Sequence, residues 1–203
     1  LFYLLRNCIS STLLMTCSIA APALAETEAE LEAGIVQTTE ALKTQPGNAL
    51  AYSARGYCYL GLKKLDEAEK DLLKAVALDP KEPGSFIQLS YLYILRKQYE
   101  KALSQVRKAI ELGDQRVSTY NIELACLSSG GHSLECLRKC EALLKQFPDD
   151  SDALYYRAMS KQELKIGRDQ DILSDLEKAV QLDPTAKGKC LDCEAFRQRL
   201  KQK

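Results

Sequence analysis

Tryptophan is absent from this sequence and histidine occurs once, at His132. The residue types from which nucleophile, base and metal sites are usually assembled are therefore scarce. The chain is expected to be non-catalytic, with no small-molecule substrate, no metal and no other cofactor. An excess of charge of either sign is missing too, since 28 Lys and Arg stand against 28 Asp and Glu. Without a chain-wide field, nucleic acid is excluded as a partner, and charge alone will not draw the chain to an anionic membrane. No Asn-x-Ser/Thr acceptor occurs, so nothing marks a glycosylated secretory protein. What remains, 46% hydrophobic and 28% charged over 203 residues, is the composition of a globular protein.

Residues 1–25 carry one charge, Arg6, ahead of an apolar stretch from Cys8 to Ala21, followed by Pro22 and the small residues Ala23 and Ala25. An apolar run this short, ended by proline and small residues, resembles a secretory signal peptide cut between Ala25 and Glu26. The protein is thus expected to be exported, either periplasmic or secreted. The alternative is retention of residues 1–25 as a membrane anchor, which would fit a partner in a membrane-associated complex.

Beyond this segment the chain repeats itself. Ala68, Ala102 and Cys136 are 34 residues apart in turn, as are Ala75, Ala109 and Leu143, and Pro46, Pro80, Asp114 and Pro148. A fourth unit continues with Ile172, Ala179 and Pro184 after two extra residues, which fall in the polar stretch 167–171. Insertions in turns cost little, so the period survives them. Within the first unit the pattern is Tyr52, Arg55, Gly56 and Tyr59, then Ala68, Leu72 and Ala75, then Asp79 and Pro80. Apolar and small residues recur at helical spacing on both sides of a break at 61–64, which predicts a helix, a turn, a second helix and a proline stop. Gly56 and Ala68 belong where the two helices cross.

These columns resemble the tetratricopeptide repeat. The resemblance implies an all-α solenoid of about four helix-turn-helix units, 49–82, 83–116, 117–150 and 151–184, wound as a right-handed superhelix. The third unit fits less closely, with 120–131 aligning to within one residue. Residues 26–48, with Gly34, Thr38, Ala41 and Pro46 in register, read as a partial repeat that caps the N-terminal end. Residues 185–203 read as a C-terminal capping helix, apolar through Leu191, Ala195 and Leu200. Such caps are what a stacked array needs at its ends.

The resemblance also places first helices on a concave, partner-binding face. Its inward positions would be Leu50, Ser53, Tyr57 and Leu60 in unit one, and Ile87, Tyr91 and Ile94 in unit two. Unit three would add Asn121 with either Ala125 or Cys126, and unit four Asp152, Tyr155, Met159 and Gln162. Tyr57 and Tyr91 lie one repeat apart, and aromatic rings with a polar tip suit a half-wet surface that binds peptide; packing between helices is the competing role. Some members of the family hold a peptide carboxylate with Lys, Asn and Arg on this face. Ser53, Tyr57, Ile87, Tyr91 and Asn121 stand there instead, so the expected groove is apolar and aromatic. The expected function is an exported scaffold or adapter for a protein or peptide partner, with cell-envelope assembly as its setting.

Six cysteines follow the signal segment. Cys58, Cys126, Cys136 and Cys140 occupy columns that hold apolar residues in other units and are expected to pack as small hydrophobes, with a bridge from Cys126 to Cys136 or Cys140 across one helix pair as the alternative. Cys190 and Cys193 form a Cys-x-x-Cys, for which a disulfide that staples the terminal helix is the first expectation. The rival reading of the whole protein is a thiol-dependent redox or metal-handling role for this pair. His132, in the turn of unit three, is expected to be a solvated turn residue.

Overall fold

The computed structural model describes residues 27–202, so the signal-like segment 1–25 lies outside the described residues. Among the described residues there are ten helices and no strand: α1 (Glu28–Thr44), α2 (Ala49–Gly61), α3 (Leu65–Leu78), α4 (Pro83–Leu95), α5 (Tyr99–Glu111), α6 (Val117–Ser129), α7 (Ser133–Gln146), α8 (Ser151–Leu164), α9 (Asp169–Leu182) and α10 (Lys187–Lys201). First helices begin at residues 49, 83, 117 and 151, so the third unit keeps the register of the others. The two extra residues of the fourth unit make α8 one residue longer than the other first helices and its following turn, 165–168, one residue longer than theirs.

Local chemistry sets the helix starts. Thr27 and Glu30 close a capping box on α1, and the side chains of Asn48 and Asp150 accept from the backbone of Ala51 and Ala153. Glu82 accepts from the backbone N–H groups of Gly84 and Ser85. Asp114, which stands where the other units have proline, accepts from the backbone N–H of Arg116 at 3.0 Å and the Thr119 hydroxyl at 2.9 Å. Burial opposes its charge, but these bonds and the Arg116 guanidinium outweigh that and hold the Asp114 carboxyl below its usual value. Its contribution to stability is therefore complete above ~pH 4 and is lost as pH falls through the lowered value.

The chain divides into two compact units at Leu92/Tyr93. In the first, α2 packs against both α1 and α3. A Cβ on Gly56 would come within 2.8 Å of Leu72 and 3.4 Å of the Ala68 carbonyl oxygen, so the close approach depends on glycine. On α1, Gly34 and Thr38 are buried with Leu31 and Leu42, whereas Ala41 is exposed.

In the second unit α6, α7, α8, α9 and α10 pack in succession, with α6 also against α8. The terminal helix departs from expectation. Leu191 is 65% exposed and Ala195 is exposed, while Lys189, Cys193 and Phe196 face inward. Cys193 and Phe196 complete a core with Ala158, Ile172, Leu173 and Leu176, and Leu200 packs at its edge. Lys189 Nζ is held by Asp152 at 2.6 Å and Asp183 at 3.3 Å. These polar anchors and the bulk of Phe196 set the rotation of α10, overriding the stripe expected from Leu191 and Ala195.

Two devices recur in the repeats. The fourth residue after Gly61, Leu95 and Ser129 opens the next helix, and the middle one of the three intervening residues is left-handed: Lys63 (φ 58°), Lys97 (φ 58°) and Gly131 (φ 80°), with Lys165 (φ 55°) beginning the longer fourth turn. Only glycine adopts this backbone without steric cost, and three lysines do so here. The second device is an ion pair between the two helices of a repeat. Arg55 clasps Asp71 at 2.6 and 2.9 Å, Arg157 clasps Asp175 at 2.8 and 2.5 Å, and Lys139 reaches Glu123 at 3.0 Å with the charges reversed. Glu123 also accepts from Arg107 at 3.2 Å.

Lys97→Gly is expected to raise unfolding stability by about 0.5–1 kcal/mol by chemical denaturation, the relief of left-handed strain exceeding the entropy lost with glycine. Arg55→Met is expected to cost roughly 2–4 kcal/mol because it strands Asp71 in the interior, and Arg55→Met with Asp71→Met should recover most of that loss.

Candidate functional site

The first helices expose a face whose composition differs between the two units. In the first unit, Leu50 is 55% exposed and Tyr57, Leu60 and Tyr91 are half-buried, so each presents surface to solvent. Two residues expected beside them do not. Ile87 is 2% exposed and belongs to the core, and Ser53 is buried with its hydroxyl donating to Gln88 Oε1 at 3.4 Å. On a helix packed along two sides, a one-residue step turns a side chain from the open face into a neighbour, and these two lie beyond that boundary.

In the second unit, Ile94, Asn121, Tyr155, Met159 and Gln162 are all half-buried. Three of them already have internal partners. Asn121 Nδ2 donates to Asp150 at 3.1 Å and Asp152 at 3.2 Å, leaving its buried Oδ1 without a hydrogen bond. The Tyr155 hydroxyl donates to Asp192 of α10 at 2.6 Å, and burial together with this acceptor raises its pKa. Gln162, with its amide oxygen turned toward α10, accepts from both terminal nitrogens of Arg199 at 3.1 Å. Tyr155 thus holds the terminal helix and is not a free groove residue. Of the two neighbours left open in unit three, Ala125 is half-buried and Cys126 is buried.

Tyr93 is buried with the Lys101 ammonium 5.5 Å from its ring centre, and Tyr52 lies under the Arg55 guanidinium at 5.6 Å. His132 sits in the α6–α7 turn as expected, but its Nε2 is 2.6 Å from Glu100 Oε1 and so is not simply solvated.

The thiols are arranged for packing. Cys58, Cys126, Cys136 and Cys140 are buried, and burial pushes the Cys126 thiol up to about 12. Cys136 and Cys140 approach to 4.0 Å between sulfurs, a contact that, with burial, raises Cys140. The disulfide expected between Cys190 and Cys193 is absent: both are free thiols on one continuous helix. Cys193 turns into the core and Cys190 donates to the Pro184 carbonyl at 3.7 Å, so the two sulfurs serve different surroundings. Burial raises the Cys193 thiol, the opposite of what a redox cysteine needs. Among the described residues no three His, Cys, Asp or Glu side chains converge as a metal shell.

Comparison with known proteins agrees with this architecture. Residues 49–82 and 83–112 each match a tetratricopeptide repeat model. The chain is 36% identical over 73 residues to Hsp70-Hsp90 organizing protein 1 of Glycine max, covering 36% of this chain and 13% of that protein. It is 30% identical over 83 residues to small glutamine-rich tetratricopeptide repeat-containing protein 2 of Saccharomyces cerevisiae, covering 41% and 24%. The chain therefore spans about a quarter or less of the length of these relatives. Among solved structures it resembles YrrB, a TPR protein with an unusual peptide-binding site, at TM-score 0.68 and 23% identity over 82% of this chain and 84% of that one. It also resembles MamA at TM-score 0.66 and 18% identity over 77% and 85%. These structural likenesses establish the fold, a solenoid-type helical array, and the matched models show tetratricopeptide repeats over residues 49–112.

Tyr155→Phe is expected to loosen α10 by about 1 kcal/mol, the loss of one hydrogen bond to a charged acceptor. Hydrogen exchange should show the faster opening confined to α10, with α6 and α7 unchanged.

Proposed function

We propose that this chain is an exported, non-catalytic scaffold that holds a protein or peptide partner on the first-helix face of its repeats. Tetratricopeptide repeats act as protein-binding scaffolds, and the curated relatives include organizers of other proteins by name. The observation that carries the reading is the set Leu50, Tyr57, Leu60 and Tyr91. These are large apolar or aromatic side chains on consecutive first helices, each leaving part of its surface open while the core behind it is closed. Rings of this kind offer much contact area at low entropic cost, which is why they dominate binding hot spots.

Export rests on the composition of residues 1–25, and a role in cell-envelope assembly follows from export combined with scaffolding. Among the described residues no helix is long and apolar enough to cross a membrane. The basic carboxylate-holding pattern is missing from the first-unit face, so the partner there is recognised by apolar and aromatic contact.

Tyr91→Ala is expected to weaken partner binding by about 2 kcal/mol, the scale of an aromatic hot spot, while helical content is retained. Affinity capture from the native envelope, with a Tyr57→Ala/Tyr91→Ala variant run beside the unaltered protein, supplies both the partner and the test. A partner equally retained by the variant would place binding elsewhere.

A further inference from the structure

The two extra residues of the fourth repeat do more than lengthen a turn. They open a cavity of about 290 Å³ between the α8–α9 turn and α10, and no other repeat has this longer turn. Its floor is apolar, made by Ile172, Phe196 and Leu200, and its rim carries Lys161, Lys165 and Arg199 against a single acid, Asp169. In a chain with 28 charges of each sign, three cations facing one acid is a local surplus of positive charge.

The three cations are not equivalent. Lys161 is shared with Asp175 at 3.3 Å. Arg199 is held without being neutralised: its guanidinium lies 5.3 Å from the Phe196 ring centre and donates to the uncharged Gln162 at 3.1 Å. Lys165 projects from the left-handed start of the turn, and its ammonium has no acidic partner among the described residues. Arg199 is thus preorganised, with its charge available, over an apolar surface.

We infer that this cavity receives an acidic side chain of the partner peptide, with a neighbouring apolar side chain on the floor formed by Ile172, Phe196 and Leu200. The inference rests on the scaffold reading and gives it a partner chemistry: an acidic-hydrophobic segment bound internally, through a side-chain carboxylate. A volume near the lower end of small-molecule pockets, about 300 Å³, accommodates such a pair of side chains and no large cofactor. Arg supplies a planar donor fork matched to carboxylate, and the apolar floor distinguishes a peptide segment from a bare anion.

The test is fluorescence anisotropy with the full chain and two pools of end-blocked heptapeptides. One pool has Asp or Glu at the centre flanked by Leu, Ile, Phe or Tyr, and the other has Asn or Gln at the centre. The acidic pool is expected to bind at least fivefold more tightly, and inorganic phosphate at equal charge should not displace it. Arg199→Gln and Lys165→Gly should each weaken acidic-pool binding about threefold, within the range of a partly exposed ion pair. Lys165→Gly relieves left-handed strain, so unfolding cannot account for its loss. Equal binding of the two pools, displacement by phosphate, or affinity unchanged in both variants would overturn the inference. The Tyr57→Ala/Tyr91→Ala variant separates the two readings. Loss of binding there with Arg199→Gln unaffected overturns the cavity and leaves the groove, whereas the reverse pattern supports the cavity without the first-unit face.

Discussion

Every repeat in this protein depends on bringing two helices close enough that neither exposes its apolar stripe. A pair of helices about thirteen residues long cannot do this alone, because too little surface is buried to offset the ordering of the chain. The close approach is made by residue size. Gly56 lies under Leu72 with no room for a Cβ, and in the fourth repeat Ala158 shares a core with Ile172 and Leu176. The third repeat meets the same constraint differently: Leu124 is buried and its carbonyl accepts from the Cys136 thiol at 3.6 Å. A small sulfur occupies the column where the first two repeats have alanine. That is how Cys136 is buried as a packing residue in the third repeat.

The crossings also explain the ion pairs. Once two helices are this close, a long polar side chain between them must be paired or excluded. Arg55 with Asp71 and Arg157 with Asp175 solve the problem with one polarity, and Glu123 with Lys139 with the other. The second repeat has Leu89 and Gln105 at the corresponding positions and avoids the problem. Paired buried charges add little net stability over apolar residues, but a lone one is strongly unfavourable. Their effect is to make a wrong helix pairing costly.

Function follows from what the packing leaves over. In the first unit Tyr57 and Tyr91 keep part of their surface open to solvent, while in the second unit Tyr155 and Gln162 are tied to α10. The terminal helix therefore caps the last repeat and reshapes the surface near it. It converts one stretch of the first-helix face from aromatic to basic by bringing Arg199 beside Lys161 and Lys165.

The period of 34, the helix pairs, the crossing at Gly56 and the burial of four cysteines were all legible in the sequence, because repetition and residue size act locally and recur. The ion pairs have a signal as well, an opposite-charge spacing of 16 that the two-residue insertion stretches to 18. Which side chains stay open was not legible. Ile87 and Tyr91 stand one helical turn apart, yet one is core and the other half open to solvent, and Leu191 loses the inward position to Cys193 and Phe196. Helical periodicity fixes the angle between side chains but not the rotation of the helix as a whole. That rotation is decided by partners distant in sequence, here Lys189 with Asp152 and Asp192 with Tyr155, and so only the tertiary structure shows which side chains stay open.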